Sequence, residues 1–309
     1  AKPAPGIGAS ARAFGRRAAT VLAGSLALLL PTSQAAMSAT TNNNNDTWSV
    51  PNYNYTTETN NLGPYLYWKL NDAAASTTAI DTSGNARTGT YNSTWTKQIV
   101  GPLVDQAANL AVTATNAGGT GNNVSCVYTT SNTGIAATGP TVYSEIIWFK
   151  TASTTGGKLI GYENTRTGVS DSGAGGQYDR MLYMDGAGKV WFAVWKTVAA
   201  VGVAISSPAA LNDGNWHMAV ATMSTTTGMA LYIDGVQVAT NANTISETEN
   251  KAGFWRVGCG NLSGWNTFWT GPNAPLAQTN YPFNGSLDEA TVYTTTLTPS
   301  QITFLYWIR

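Results

Sequence analysis

Charge is what this sequence has least of. Only 10% of its 309 residues are charged, and 16 basic side chains balance 16 acidic ones to a formal net charge of zero. A typical globular domain carries about a quarter charged residues. Nucleic acids and anionic membrane surfaces recruit proteins through clustered positive charge. We therefore expect no nucleic-acid partner, and the composition excludes a polybasic membrane-binding segment.

Histidine and cysteine are almost as scarce. His217 is the only histidine, which excludes a metal site built on a histidine pair. A lone histidine acts as a general base only where partners lie in reach, so we favour a structural role beside Trp216. A Ser-His-Asp site stays open, although no Gly-x-Ser-x-Gly elbow precedes a predicted helix. Cys126 and Cys259 form either a disulfide or two buried thiols, and an extracellular location favours the disulfide.

The apolar run near the start of the chain is too short to cross a bilayer. It covers Val21–Leu30, with arginines before it and Ser33-Gln34-Ala35 after it. That order is typical of a secretory signal peptide, which we place at residues 1–35; the alternative is a retained N-terminal tail. The chain is thus predicted to be secreted or held at the cell surface, with no membrane span in its mature form.

Residues 36–62 are rich in asparagine and threonine and poor in core-forming side chains. They predict a flexible polar leader, so we expect one folded domain over residues 63–309.

Hairpin patterns dominate that domain. In Leu211–Gly235 apolar residues recur at every second position, which indicates strands, and Asp234-Gly235 is a strong hairpin turn. Consecutive short strands cannot bury their faces alone and need a second sheet. The sequence therefore predicts an all-β sandwich of two antiparallel sheets, with a short C-terminal helix capped by Thr298 and started by Pro299. Within the hairpins we expect burial of Trp216, Met218, Val220, Leu231 and Ile233.

Several segments together resemble a known family. They are Tyr67–Asp72, Asp81–Asn85, Trp148–Thr151, Gly156–Gly161, Asn212–His217, Leu231–Gly235 and Gly285–Tyr293. Their order resembles that of laminin-G-like jelly-roll domains of the concanavalin A-like lectin/glucanase superfamily, of the type found on secreted bacterial proteins beside catalytic or adhesive modules. The resemblance implies a jelly roll, a glycan or cell-surface ligand, commonly a structural calcium ion, and other modules of a longer protein as partners.

The resemblance also implies where calcium would bind. First and last strands lie together in such domains, which would bring Asn71, Asp72 and Asp81 towards Asp288. Calcium prefers carboxylate and carbonyl oxygens, so we take Asp288, Asn71, Asp72 and Asp81 as its candidate ligands. The alternative for Asp81 is that it closes a turn through Asx hydrogen bonds.

A catalytic strand is missing from the sequence. Retaining glucanases of the resembled superfamily place two glutamates on one face of a strand, because hydrolysis needs carboxylates on both sides of the scissile bond. Glu247 and Glu249 lie in a polar loop, and Asp288 and Glu289 are neighbours that a regular strand would turn to opposite faces. We therefore predict a protein without enzymatic activity, with a glycoside hydrolase as the less favoured alternative.

Aromatic residues in loops are the predicted ligand contacts. The chain has 11 tryptophans, and exposed tryptophan rings can stack on sugars. The candidates are Trp255, Trp265, Phe268, Trp269, Tyr178, Asp179 and Arg180. The alternative is that some of them plug the end of the sandwich. The favoured hypothesis is a secreted, non-catalytic binding module that uses loops at one end of the sandwich; its rival is a structural or adhesive cell-surface protein.

Overall fold

A computed structural model of the chain describes residues 53–92, 95–103, 110–114, 125–130, 139–164, 178–196, 201–243, 252–262, 265 and 282–309. The predicted signal peptide at residues 1–35 lies outside these ranges, as does most of the predicted leader. Within the described residues, no helix has both the length and the apolar character needed to cross a membrane.

The described elements are mostly strands. In chain order they are α1 (Tyr55–Asn61), β1 (Leu66–Trp68), β2 (Thr78–Ala79), β3 (Gly89–Asn92), β4 (Trp95–Val100), β5 (Leu110–Ala114), β6 (Cys126–Thr129), β7 (Tyr143–Lys150), β8 (Gly157–Glu163), β9 (Tyr178–Met184), β10 (Val190–Lys196), β11 (Val201–Ser206), β12 (Trp216–Ser224), β13 (Gly228–Ile233), β14 (Val236–Asn241), β15 (Phe254–Val257), β16 (Gly285–Tyr293) and α2 (Pro299–Trp307).

Two antiparallel sheets form the sandwich. Sheet A has the order β14-β13-β12-β7-β16-β5-β4, with β1 also paired to β16, and sheet B has the order β11-β10-β9-β8-β15-β6-β3-β2. The first strand, β1, pairs with the last, β16, and Trp68 lies opposite Ala290. The predicted jelly-roll sandwich and the C-terminal helix are confirmed.

The predicted meander of β12, β13 and β14 is present in sheet A. Its second turn uses Asp234 and Gly235 at φ 52° and 79°, the left-handed backbone that a tight hairpin turn requires. Asp234 also accepts a hydrogen bond from the backbone N–H of Met218 at 2.9 Å. Its other oxygen lies 2.7 Å from His217 Nδ1, while His217 Nε2 lies 3.1 Å from Asp213. With both ring nitrogens bridging two turns, His217 has the structural role that we favoured.

Strand β12 is buried on both faces, which alternation alone did not predict. Ala219 and Ala221 join the core between the sheets together with Leu231. Met218 and Val220 are equally buried but pack on the outer face of sheet A, in a cluster with side chains of both helices. The expected burial of the meander is therefore correct for four residues, although Trp216 is partly exposed. The expectation that a second sheet covers these strands is wrong for Met218 and Val220, because the two helices cover them as a third layer.

Helix α1 lies inside the segment that we predicted to be flexible. Asn54 accepts a hydrogen bond from Thr57 N at 3.0 Å and caps the helix. Tyr55 is fully buried, and its hydroxyl accepts a hydrogen bond from Trp148 Nε1 at 3.0 Å. The compact unit begins at Tyr53, so the prediction of a flexible leader up to residue 62 is wrong for its last part. One buried tyrosine docks a helix whose other residues are mainly polar.

Helix α2 starts as predicted. Thr298 accepts a hydrogen bond from Gln301 N, and the Gln301 side chain accepts one from Thr298 N at 2.8 Å, which completes a capping box with Pro299 in the first turn. Ile302 and Leu305 are buried against sheet A. The ring of Tyr306 stacks on Trp148 at 5.9 Å between centroids and an interplanar angle of 11°.

Candidate functional site

The outer face of sheet B carries a cluster of aromatic side chains. In β10 the alternation sends Phe192 and Val194 into the core between the sheets, while Trp191 and Trp195 point outwards. We call the outer cluster the aromatic face. Its members are Tyr178, Tyr183, Trp191, Trp195 and Trp265. Tyr183 and Trp265 are buried, whereas Tyr178, Trp191 and Trp195 are partly exposed.

The ring of Trp191 is held in one orientation by two contacts. It lies beside Tyr183, its direct partner across the β9–β10 ladder, with ring planes 8° apart and centroids 6.3 Å apart. Its Nε1 donates a hydrogen bond to Asp185 Oδ2 at 2.9 Å. Asp185 is itself fixed, because its Oδ1 accepts hydrogen bonds from the backbone N–H groups of Ala187 and Lys189 in the hairpin turn. The turn thus orients a partly exposed aromatic surface.

Trp195 is supported by a second buried aromatic side chain. Trp265 meets it edge-on, with centroids 6.1 Å apart and an interplanar angle of 75°. Trp265 lies over β11 at Gly202, where an added Cβ would come within 2.8 Å of the Trp265 ring. The backbone N–H of Trp195 donates to Asp179 Oδ1 at 3.0 Å. A residue without a side chain at position 202 therefore lets Trp265 pack against Trp195.

A buried ionic group lies on the same side of sheet B. Glu163 accepts hydrogen bonds from Lys158 Nζ at 2.5 Å and Arg256 Nη1 at 2.7 Å, and all three side chains are at most 2% exposed. Burial alone would raise the pKa of Glu163, but the charges of Arg256 and Lys158 outweigh burial and lower it. The backbone N–H of Asn261 also donates to Glu163 at 2.7 Å, which ties the segment before Trp265 to the sheet.

The predicted disulfide is confirmed. Cys126 of β6 and Cys259, two residues after β15, are bonded, with their Cα atoms 5.2 Å apart. Arg256 Nη2 donates to Cys259 Sγ at 3.0 Å, so the ionic group and the disulfide are in contact. Both hold the start of the segment that carries Trp265.

The structure separates the predicted ligand residues. Tyr178 and Trp265 come together on the aromatic face. Trp255 faces the other way and is fully buried between the sheets, next to Tyr162. Phe268 and Trp269 lie outside the described residues.

The two predicted polar contacts are also interior. Asp179 and Arg180 are buried, and the Arg180 guanidinium lies over the Tyr162 ring and donates through Nε to the Pro140 carbonyl at 2.8 Å. Trp255, Asp179 and Arg180 thus present no surface to a ligand in this structure, contrary to our expectation, because their strands turn these side chains inwards.

Trp191 and Trp195 were missed. The sequence carried a signal for them, since Trp191, Ala193 and Trp195 alternate with Phe192 and Val194 in one predicted strand. Both alternating sets are apolar, however, so periodicity could not tell which set faces outwards.

A buried acidic pair lies where β16 changes partners. β5 pairs with β16 up to Leu287, and β1 pairs with it from Ala290. Between them the register against β7 shifts, and Glu289 adopts a φ of 53°, so the simple alternation that we expected for this pair does not hold. Glu289 accepts a hydrogen bond from the Tyr67 hydroxyl. Neither oxygen of Asp288 accepts a hydrogen bond from a described residue, although the side chain is fully buried.

Burial controls the protonation of this pair. Burial raises the pKa of Glu289 to about 7. Burial, followed by the charge of Glu289, raises the pKa of Asp288 well above its usual value. The backbone N–H of Glu289 and the charge of Lys69 offset only part of the rise in the pKa of Asp288, so the buried site favours either a proton or a bound cation.

The four predicted calcium ligands do not form one cluster of oxygen atoms that are free to bind an ion. Asp81 accepts hydrogen bonds from the backbone N–H groups of Tyr67, Ser83 and Arg87, and the Ser83 bond is the Asx contact of our alternative interpretation. Asp72 accepts hydrogen bonds from Ile80 N and the Tyr91 hydroxyl.

Asn71 is partly exposed. Over the described ranges, no three His, Cys, Asp or Glu side chains are grouped to hold a metal. Asp288 is the predicted ligand whose oxygens have no described donor, so calcium binding stays a prediction that depends mainly on this residue.

Comparison with known proteins supports the architecture. Residues 126–303 match the Laminin_G_3 family model, described as the concanavalin A-like lectin/glucanases superfamily. A search of curated protein sequences found no match.

Among solved structures, the receptor binding domain of botulinum neurotoxin C/D mosaic serotype is 12% identical with a TM-score of 0.51, over 80% of this chain and 51% of that chain. The binding domain of botulinum neurotoxin serotype D is 13% identical with a TM-score of 0.50, over 82% and 52%. The chain thus spans about half the length of these neurotoxin chains.

Domain 4 of AbnA, a GH43 extracellular arabinanase from Geobacillus stearothermophilus, solved in complex with arabinotriose, is 16% identical with a TM-score of 0.48, over 79% of this chain and 98% of that chain. Because the two neurotoxin domains are only 12% and 13% identical to this chain, their likeness concerns the fold alone. The family match covers more than half of the sequence, and the chain therefore belongs to the laminin-G-like branch of the concanavalin A-like lectin/glucanase superfamily.

Proposed function

We propose that this protein is a secreted, non-catalytic binding module that recognises carbohydrate through the aromatic face. The observation that carries the proposal is a pair of partly exposed tryptophans on one strand, Trp191 and Trp195, each oriented by a buried aromatic neighbour. Flat aromatic rings with a fixed orientation suit the apolar faces of sugar rings. Because the rings are ordered before binding, little side-chain freedom is lost in the complex.

The charges of this side of sheet B favour binding over hydrolysis. A glycosidase acid must hold a proton, and its partner carboxylate must reach the other side of the bond. Glu163 is kept ionised between two cations, and Asp185 is engaged by Trp191 and by its own turn. Under the rival hypothesis, a purely structural or adhesive role, the two tryptophans bind no carbohydrate.

Removal of either tryptophan ring tests this proposal. We expect Trp191→Ala and Trp195→Ala each to weaken binding to a soluble polysaccharide at least about tenfold, the size of a strong interface contact. Affinity electrophoresis against β-glucan, xylan, arabinan and polygalacturonate, followed by calorimetry on any positive, measures it. Trp307→Ala is the control, because this tryptophan is 53% exposed on α2, a helix of the other sheet. If Trp191→Ala and Trp195→Ala bound as tightly as Trp307→Ala and the unchanged protein, the aromatic face would be rejected as the binding site. If the unchanged protein bound none of the polysaccharides, the proposed function would be rejected.

We also propose Asp288 as the ligand of a structural calcium ion, supported by its two buried oxygens without described donors. Calcium supplies the missing positive charge for this carboxylate. We expect calcium to raise the melting temperature of the protein and EDTA to reverse the rise. Both effects should disappear in Asp288→Asn. Asp213→Asn, which changes a 49% exposed carboxylate, should respond to calcium like the unchanged protein. A calcium response that survives in Asp288→Asn would place the ion elsewhere.

A further inference from the structure

A glutamate without a described hydrogen-bond partner lies in the core between the sheets. Glu145 belongs to β7, and two positions away on either side Tyr143 and Ile147 pack into that core. The intervening Ile146 packs under the helices instead. By this alternation the Glu145 side chain faces sheet B. It is fully buried, and neither of its oxygens accepts a hydrogen bond from a described residue.

The side chain next to it on the same face of β7 is also polar and buried. The ring of Tyr143 meets Phe192 of sheet B edge-on, with centroids 6.2 Å apart, and its hydroxyl has no described partner either. Burial, followed by the charge of Glu145, raises the pKa of Tyr143 well above its usual value. Tyr143 is therefore a neutral neighbour of Glu145 and does not supply a positive charge.

The charged groups that act on Glu145 from sheet B have partners of their own. Lys158 of β8 lies 2.5 Å from Glu163. Arg180 of β9 lies 3.4 Å from the carboxylate of Asp179. Each of these cations is thus already matched by an acidic side chain, and Glu145 is left without a counter-ion among the described residues that act on it.

Sheet A offers Glu145 no charge at the positions directly opposite. Its partners across the ladders are Ala221 of β12 and Val292 of β16, and neither side chain ionises. Burial, followed by the charge of Asp179, raises the pKa of Glu145 well above its usual value, and the two cations of sheet B offset only part of the rise. A buried carboxylic acid without partners costs a few kcal/mol, whereas a buried unpaired carboxylate costs far more.

From this placement we infer that the folded protein holds Glu145 as a neutral carboxylic acid, and that this residue is a pH-sensitive device in the core that weakens the fold as the pH rises. The inference is independent of the proposed function. An ionised Glu145 needs water or a cation, and either must enter between β7 and sheet B. Because β7 lies between β12 and β16 in sheet A, such an opening disturbs the centre of the sandwich.

The direction of the pH effect follows from the two protonation states. In the unfolded chain Glu145 has its ordinary pKa of 4.5. Below that pH both states carry the proton, and the side chain adds no pH dependence. Above it, folding takes up one proton, so the equilibrium constant for unfolding rises about tenfold per pH unit until the folded carboxyl ionises as well.

Replacing Glu145 by glutamine removes the titration and keeps the shape. Chemical denaturation at pH 5, 6 and 7 gives the unfolding constants of the unchanged protein and of Glu145→Gln. We expect the ratio of the first constant to the second to rise at least about tenfold between pH 5 and pH 7. Groups such as His217 titrate in both proteins and cancel in the ratio. Glu58→Gln, which alters a partly exposed carboxylate of α1, is the control, and its ratio should stay within about twofold.

Two further measurements keep the inference testable if the glutamine variant does not fold. Glu145→Met is apolar and needs neither a proton nor a partner, so its ratio should rise with pH in the same way. Carbon-13 NMR of the unchanged protein, labelled at its glutamate carboxyls, should show Glu145 as a neutral acid at pH 6. A ratio as flat as that of Glu58→Gln, or a carboxylate signal from Glu145 at pH 6, would overturn the inference.

Discussion

Replacing Glu163 by alanine is expected to lower the free energy of unfolding by about 3–5 kcal/mol, because two buried cations lose their shared counter-ion. Lys158 Nζ lies 2.5 Å and Arg256 Nη1 2.7 Å from the Glu163 carboxylate, and the two cationic side chains are 0% and 2% exposed. Neither cation is in contact with water in the folded protein. The backbone N–H of Asn261 loses its acceptor as well. Chemical denaturation followed by tryptophan fluorescence measures the change.

Two comparisons identify the cause of that loss. Asp213→Ala removes an exposed carboxylate that lies 3.1 Å from His217, and its expected cost is within about 1 kcal/mol, as for surface ion pairs. A triple variant, Lys158→Met with Glu163→Leu and Arg256→Met, should recover most of the stability, because an apolar group of similar volume needs no counter-ion. If Glu163→Ala lowered the free energy of unfolding no more than Asp213→Ala does, groups other than Glu163 would have to neutralise the buried charges of Lys158 and Arg256.

The sheet architecture could be predicted because turns and strands are encoded locally. Asp234-Gly235 specifies its hairpin by backbone conformation, and the alternation of β12 and β13 identifies them as strands. The third layer could not be predicted in this way. Met218 and Ala219 are both buried, one under the helices and one between the sheets. When both alternating sets are apolar, the pattern establishes a strand but not what covers each face.

Helix α1 shows a second limit of sequence patterns. Its segment, YTTETNN, has no amphipathic stripe, and its stability comes from tertiary contacts of Tyr55 and from the Asn54 cap. Composition alone therefore indicated a flexible leader. Such a helix is visible only when the surface that receives it, here Trp148 and its neighbours, is known.

The candidate site was only partly predictable for a related reason. Because exposed aromatic side chains often bind sugars, we looked for the ligand contacts in loops. Trp265 is instead buried, so it packs against Trp195 and is not itself an exposed contact surface. The exposed rings lie on a strand. Their availability depends on which sheet receives covering helices, and that is a property of the whole fold. The disulfide, by contrast, needed only two cysteines and an extracellular context.

Removal of that disulfide is the second large effect that we expect. Cys126 and Cys259 are 133 positions apart, and the chain-entropy relation assigns about 5 kcal/mol to a loop of this length. Loss of a native disulfide typically costs about 2–5 kcal/mol. At about 2–4 °C per kcal/mol for a domain of this size, the Cys126→Ala/Cys259→Ala variant should melt about 4–20 °C lower than the oxidised protein.

Removal of the disulfide should also make the aromatic face less ordered. Arg256 donates to Cys259 Sγ at 3.0 Å and to Glu163 at 2.7 Å, so the bond holds the segment before Trp265 against the ionic group. Without it, Trp265 supports Trp195 less firmly, and we expect weaker glycan binding in the double variant at temperatures where it is still folded. Calorimetric melting with and without reductant tests the stability effect. Reductant should lower the melting temperature of the unchanged protein and leave the double variant unaffected. If the reduced protein melted at the same temperature as the oxidised protein, sheet packing alone would hold the segment before Trp265.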